Sequence, residues 1–202
     1  GIIYSSSILG NNFGVSVGVA MAEKISSSSS VTIVLAGDGA IEEGSFHESL
    51  LMLKSLELSS LVIIENNEWS MSTRISERRH AIDLEKFADS INVKYHRLSG
   101  NDPIEYIQKL NVLRAESIER KTPILIEVDV ITLGEWVLKN EENPNGKKIN
   151  YHAGPTPGVN LDNGNIIIDN TVNDPVHVIN KMSKTDIQNL TKSILNKFRN
   201  EM

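Results

Sequence analysis

Cysteine is absent from the 202-residue chain. That excludes disulfides, thiolate metal sites and a cysteine nucleophile, and it fits a reducing, cytoplasmic setting. No apolar run approaches the roughly 20 residues needed to span a bilayer, and no signal-peptide pattern opens the chain. The chain begins at Gly1 rather than methionine, which leaves room for a segment upstream. Positive charge is in deficit: 20 Lys and Arg stand against 26 Asp and Glu, a formal net charge of −6 that argues against a general nucleic-acid binder. Common site signatures are missing too. There is no Walker sequence, no His-Glu-x-x-His and no Gly-x-Ser-x-Gly elbow, and a Rossmann fingerprint fails because Glu42 stands where its third glycine is required.

What is present is an alternation of apolar runs and helical patterns. Residues 31–36 (VTIVLA), 61–64 (LVII) and 123–130 (PILIEVDV) read as buried strands, with 93–98 as a weaker fourth. Helices are expected over 45–55, 84–90 and 103–120, the last opened by Asp102 as N-cap and Pro103 at the first helical position. Small residues at Gly14, Ser16, Gly18, Ala20 and Ala22 suit a closely packed helix over 13–24. The implied fold is α/β, a parallel sheet with helices on both faces, in a single domain over 1–202. Periodicity fades over 133–173, which reads as a long irregular loop, and 174–202 reads as a closing helical segment.

The chemistry gathers at strand ends. The first strand runs into Gly37-Asp38-Gly39-Ala40, and ligands of open parallel sheets sit beyond the carboxyl ends of the strands. Glycines there let backbone N–H groups approach a phosphate. A carboxylate between them would repel a bare anion, so a hard cation bridging Asp38 and a diphosphate resolves the conflict. Magnesium suits, since it takes few protein oxygens and the remainder from phosphate and water. The next strand ends in Glu65-Asn66-Asn67, placing an amide oxygen on the same sheet edge. Each motif alone is ordinary turn chemistry; the pair at successive strand ends is what points to a metal.

Gly-Asp-Gly followed by Asn-Asn resembles the signature of thiamine-diphosphate enzymes. GDGAIEEGSFHESL, ENNEWSMST and SSSILGNNFGVSVGVAMA resemble the α subunit of E1 components of 2-oxo acid dehydrogenases, of the pyruvate and acetoin types, and NDPVHVINKM resembles their closing helix. The resemblance implies the thiamine-diphosphate-binding fold, with thiamine diphosphate and Mg2+ as cofactors. It implies metal ligands at Asp38, Asn67 and the backbone carbonyl of Trp69, with Gly37, Gly39 and Ala40 near the diphosphate and Ser7 and Leu9 at the aminopyrimidine. Glu48 matches an acidic residue at the subunit interface, and His47 beside it reads as an interface or surface residue. The family's His-Gly-His-Ser loop has no counterpart; His152 is the candidate to take its catalytic place, a solvated loop histidine being the bland alternative. Arg78, Arg79 and His80 fall where the family has a mobile loop, although a solvated basic turn is the favoured reading. The glutamate that activates the cofactor lies on a separate domain in this family, so the resemblance implies a β-type partner chain and an α2β2 tetramer. The activity implied is decarboxylation of a 2-oxo acid, or acetoin cleavage, with acyl transfer. The N-terminal half of a split transketolase-like enzyme is the alternative, and a non-enzymatic scaffold domain is the third.

Overall fold

The computed structural model describes residues 1–71 and 73–130, the backbone of four short strands between 136 and 168, and Asn189. In chain order the elements are α1 (Asn11–Ile25), β1 (Thr32–Gly37), α2 (Gly44–Ser55), β2 (Ser60–Asn66), a hairpin of β3 (Trp69–Ser70) and β4 (Thr73–Arg74), the one-turn α3 (Ile75–Arg78), α4 (Leu84–Ser90), β5 (Lys94–Leu98), α5 (Pro103–Arg120) and β6 (Pro123–Asp129). A 3-10 turn, Ala40–Glu42, links β1 to α2. The four main strands form one sheet in the order β1-β2-β6-β5, and every neighbouring pair is parallel.

Sequence accounts for this order. The central strands β2 and β6 are apolar on both faces and buried along nearly their whole length, as parallel strands covered from both sides must be. On one face Phe13 and Val17 of α1, Phe46, Leu50 and Leu53 of α2, and Leu84 and Ala88 of α4 pack on Val34, Val62, Ile64 and Leu125. On the other, Tyr106, Leu110 and Leu113 of α5 cover Leu61, Ile63, Ile124 and Ile126. The expected α/β fold with helices on both faces is therefore observed. Asp102 caps α5 as its position suggests, accepting from the N–H groups of Ile104 and Glu105 at 3.0 and 3.2 Å.

Among the described residues β1 lies at one edge of this sheet, and Ile33 and Leu35, on the α5 side, are 53% and 55% exposed. Within the segment read as irregular, the described residues instead form two antiparallel pairs, β7 (Trp136–Asn140) with β8 (Asn143–Ile149), and β9 (Val159–Asp162) with β10 (Asn165–Ile168). Asn, Gly and Lys interrupt any apolar alternation there, so the pattern that betrays a strand was missing. Apart from Asn189, the expected closing helix lies outside the described residues. No helix among the described residues is long and apolar enough to cross a membrane.

Candidate active site at two strand tips

β1 and β2 are paired in register from Thr32 opposite Ser60 to Gly37 opposite Glu65, so Asp38 and the Asn66-Asn67 turn leave the sheet side by side. The main-chain N–H of Asp38 donates to the Glu65 carbonyl at 3.0 Å, extending the ladder one step past the strand. The Asp38 carboxylate in turn accepts from the main-chain N–H of Asn67. Two Asx turns shape the second tip: Asn66 Oδ1 accepts from the N–H of Glu68 at 2.9 Å and Asn67 Oδ1 from that of Trp69 at 3.0 Å. Glu68 takes a left-handed conformation, φ 64°, which turns the chain back into the β3–β4 hairpin. Arg74 stacks its guanidinium over the Trp69 ring, 4.9 Å from the centroid.

Asp38 is 2% exposed. Burial pushes its carboxyl above the ordinary aspartate range, while Arg78 and, more weakly, Arg79 pull it back. Its Oδ1 pairs with Arg78 Nη2 at 3.3 Å, and its buried Oδ2 has no hydrogen-bond partner. Arg78 also binds Glu42, and Arg79 Nε reaches the same Glu42 oxygen at 3.0 Å. The solvated basic turn favoured from sequence is thus corrected: the Arg78 and Arg79 side chains are only 14% and 15% exposed and are drawn in by two carboxylates. His80 is exposed. Gly39 lies close against Ser70, where a Cβ would clash with Ser70 Oγ and lie 2.9 Å from Ser70 Cβ.

A cavity of about 710 Å³ extends from Asp38 beneath the segment 74–85, and its floor includes Asn66, Tyr95 and Glu127. Glu127 is a buried carboxylate that accepts from Asn66 Nδ2 at 2.6 Å and from the Tyr95 hydroxyl at 2.5 Å. Sequence reasoning missed both this network and the Arg78 pairing. The one signal for Glu127 was a charge interrupting the apolar run PILIEV.

The remaining expected site residues are dispersed around this centre. Ala40 is buried in the 3-10 turn and Gly37 is exposed at the end of β1. Ser7 and Leu9 are exposed just before α1; Gly10, which follows, has φ 82° and packs against Ser45 and Glu43. Glu48 is exposed on α2 near Leu51 and Met52, 51% and 48% exposed. His47 is half-buried, its ring edge-on to Phe46 and Phe87 at 5.0 Å. His152 lies outside the described residues. Among the described residues no three His, Cys, Asp or Glu side chains cluster as a metal site.

A parallel sheet with a glycine-flanked carboxylate at one strand tip and paired asparagines at the next defines a class of α/β domain. The fold is shared with transketolase from Campylobacter jejuni subsp. jejuni, at a TM-score of 0.53 and 20% identity over 60% of this chain and 20% of that one. Within that class, residues 1–134 match the family model of the dehydrogenase E1 component, and the chain belongs to that family. Similar relatives include the pyruvate dehydrogenase E1 component subunit alpha of Acholeplasma laidlawii, 27% identical over 161 residues, covering 73% of this chain and 46% of the relative. The protein of the same description in Rickettsia bellii is 31% identical over 121 residues, covering 60% and 37%. The chain therefore spans less than half the length of these curated relatives.

Proposed function

We propose that this chain is the α-type subunit of a thiamine-diphosphate-dependent 2-oxo acid dehydrogenase E1, holding the Mg2+-diphosphate half of the cofactor. The observation that carries the reading is Asp38: a buried carboxylate with one oxygen unpartnered, at a strand tip beside the Asn67 turn. The residues present fit the group. A buried charge without a full set of partners is costly, and a divalent ion is the partner that supplies both neutralisation and geometry. Asp38, the Asn67 amide oxygen and the Trp69 carbonyl would offer an all-oxygen donor set of the kind Mg2+ prefers, few enough to need phosphate and water oxygens as well. Gly37, Gly39 and Ala40 would line the diphosphate, and Ser7 and Leu9 the aminopyrimidine. His152 is proposed to act on the substrate side.

When bound, thiamine diphosphate supplies a nucleophilic carbon and an electron sink for cleaving the bond next to a carbonyl. The protein's share is to bind, orient and exclude water. Asp38 must be ionised to hold the metal; burial opposes ionisation and the neighbouring arginines favour it, so the metal would complete a balance the apoprotein strikes with Arg78. The exposed α2 surface around Glu48, Leu51 and Met52 supports a β-type partner that brings the activating glutamate, in an α2β2 assembly. A cytoplasmic location is proposed with it. Family membership over 1–134 favours this reading over the split-transketolase alternative.

Calorimetry with thiamine diphosphate and Mg2+ tests the reading. Asp38→Ala should abolish metal-dependent cofactor binding while thermal unfolding stays cooperative. A mutant that binds as tightly as the wild type means the metal is held elsewhere.

A further inference from the structure

Resting on that reading, we propose that Glu127 and Tyr95 are positioning residues for the metal site, acting through Asn66 on the turn that carries Asn67 and Trp69. Glu127 sits near the end of β6, 8% exposed, in a strand whose other buried residues are all apolar or proline. No ion pair forms to it among the described residues. Its carboxylate is instead closed by two short donors, the Tyr95 hydroxyl from β5 at 2.5 Å and Asn66 Nδ2 from β2 at 2.6 Å. These two contacts tie three neighbouring strands together at one carboxylate, next to the carboxyl end of the sheet.

Asn66 passes that constraint on. Its main-chain carbonyl accepts from the N–H of Val130 at 3.0 Å, and its side-chain oxygen accepts from the N–H of Glu68. The Asx turn so formed wraps around Asn67, which stands between its two ends. Because Glu127 claims the amide nitrogen of Asn66, the amide oxygen is forced toward Glu68, and the left-handed φ of 64° at Glu68 is held. The orientation of the Asn66 amide therefore sets where the Asn67 side chain and the Trp69 carbonyl emerge. Partners one shell behind a metal's ligands commonly tune its affinity in this way.

Purely structural support predicts that losing Glu127 would weaken binding of every metal alike. Positioning predicts a selective loss, because Mg2+ demands near-ideal octahedral geometry whereas Ca2+ accepts irregular oxygen sites. The test measures metal affinities of the chain at saturating thiamine diphosphate by calorimetry, with thermal unfolding followed alongside. Glu127→Ala should weaken Mg2+ binding by roughly 10- to 100-fold and Ca2+ binding by clearly less, and Glu127→Gln, which keeps an acceptor for Asn66, should recover most of the Mg2+ affinity. Tyr95→Phe removes one donor without opening a cavity and carries the same comparison if the alanine variant does not fold. It should show the same bias at smaller amplitude. Equal losses for the two ions, or no loss for either, overturn the proposal. Wild-type chain that shows no metal-dependent cofactor binding, alone or with a β-type chain added, overturns the cofactor reading itself, before any variant is compared.

Discussion

At the residue scale the informative contact is the one between Arg78 and Asp38. The guanidinium approaches the carboxylate that the proposed metal would bind, and both side chains are largely shielded from water. Two cations on one carboxylate repel each other at this range, so metal entry favours withdrawal of Arg78, toward Glu42 or toward the diphosphate. Arg78→Gln should therefore tighten Mg2+-dependent thiamine-diphosphate binding severalfold, as read by calorimetry. The opposite sign, weaker binding, would mean that Arg78 contacts the cofactor's phosphates and does not compete with the metal. This residue marks the limit of what sequence discloses. Asp38 and Asn67 were legible because their spacing is tied to consecutive strands. Arg78 was not, because its partner depends on how a short hairpin and a single helical turn fold back over the sheet, and nothing local in STRISERRH encodes that.

At the scale of elements, Gly39 joins β1 to the 3-10 turn and packs against β3. The absence of a side chain there lets Ser70 pack directly on the backbone. Gly39→Ala should push β3 outward and carry the Trp69 carbonyl with it. The expected cost is about 1–3 kcal/mol of stability from overpacking, together with a marked loss of metal-dependent cofactor binding, measured by thermal unfolding and calorimetry. Ser70→Gly in the same chain should restore part of both. The strands and helices that frame this turn were readable within one or two residues, since β2, β6 and α5 declare themselves by apolar runs, an N-cap and a leading proline. The β7–β8 and β9–β10 pairs were not, because polar strands of low alternation look like loop.

For the whole molecule, the proposed function gives this chain one side of a catalytic centre. Leu51 and Met52 lie exposed on α2 near Glu48, beyond the core that Leu50 and Leu53 fill from the same helix. Purified alone, the chain should show no 2-oxo acid decarboxylation, and activity should appear on adding a β-type chain. Leu51→Asp should weaken that assembly at least tenfold, by analytical ultracentrifugation, while leaving cofactor-independent folding intact. Decarboxylation by the isolated chain would refute the divided-centre reading.

The uncovered flank of β1 has a practical corollary. Ile33 and Leu35 offer an oily strip on the edge strand of the described sheet, where Asn12 Nδ2 already donates to the Leu35 carbonyl at 3.2 Å. Chains handled in isolation will tend to stick to one another there, so turbidity rising with concentration is the first thing to control before any binding curve is read.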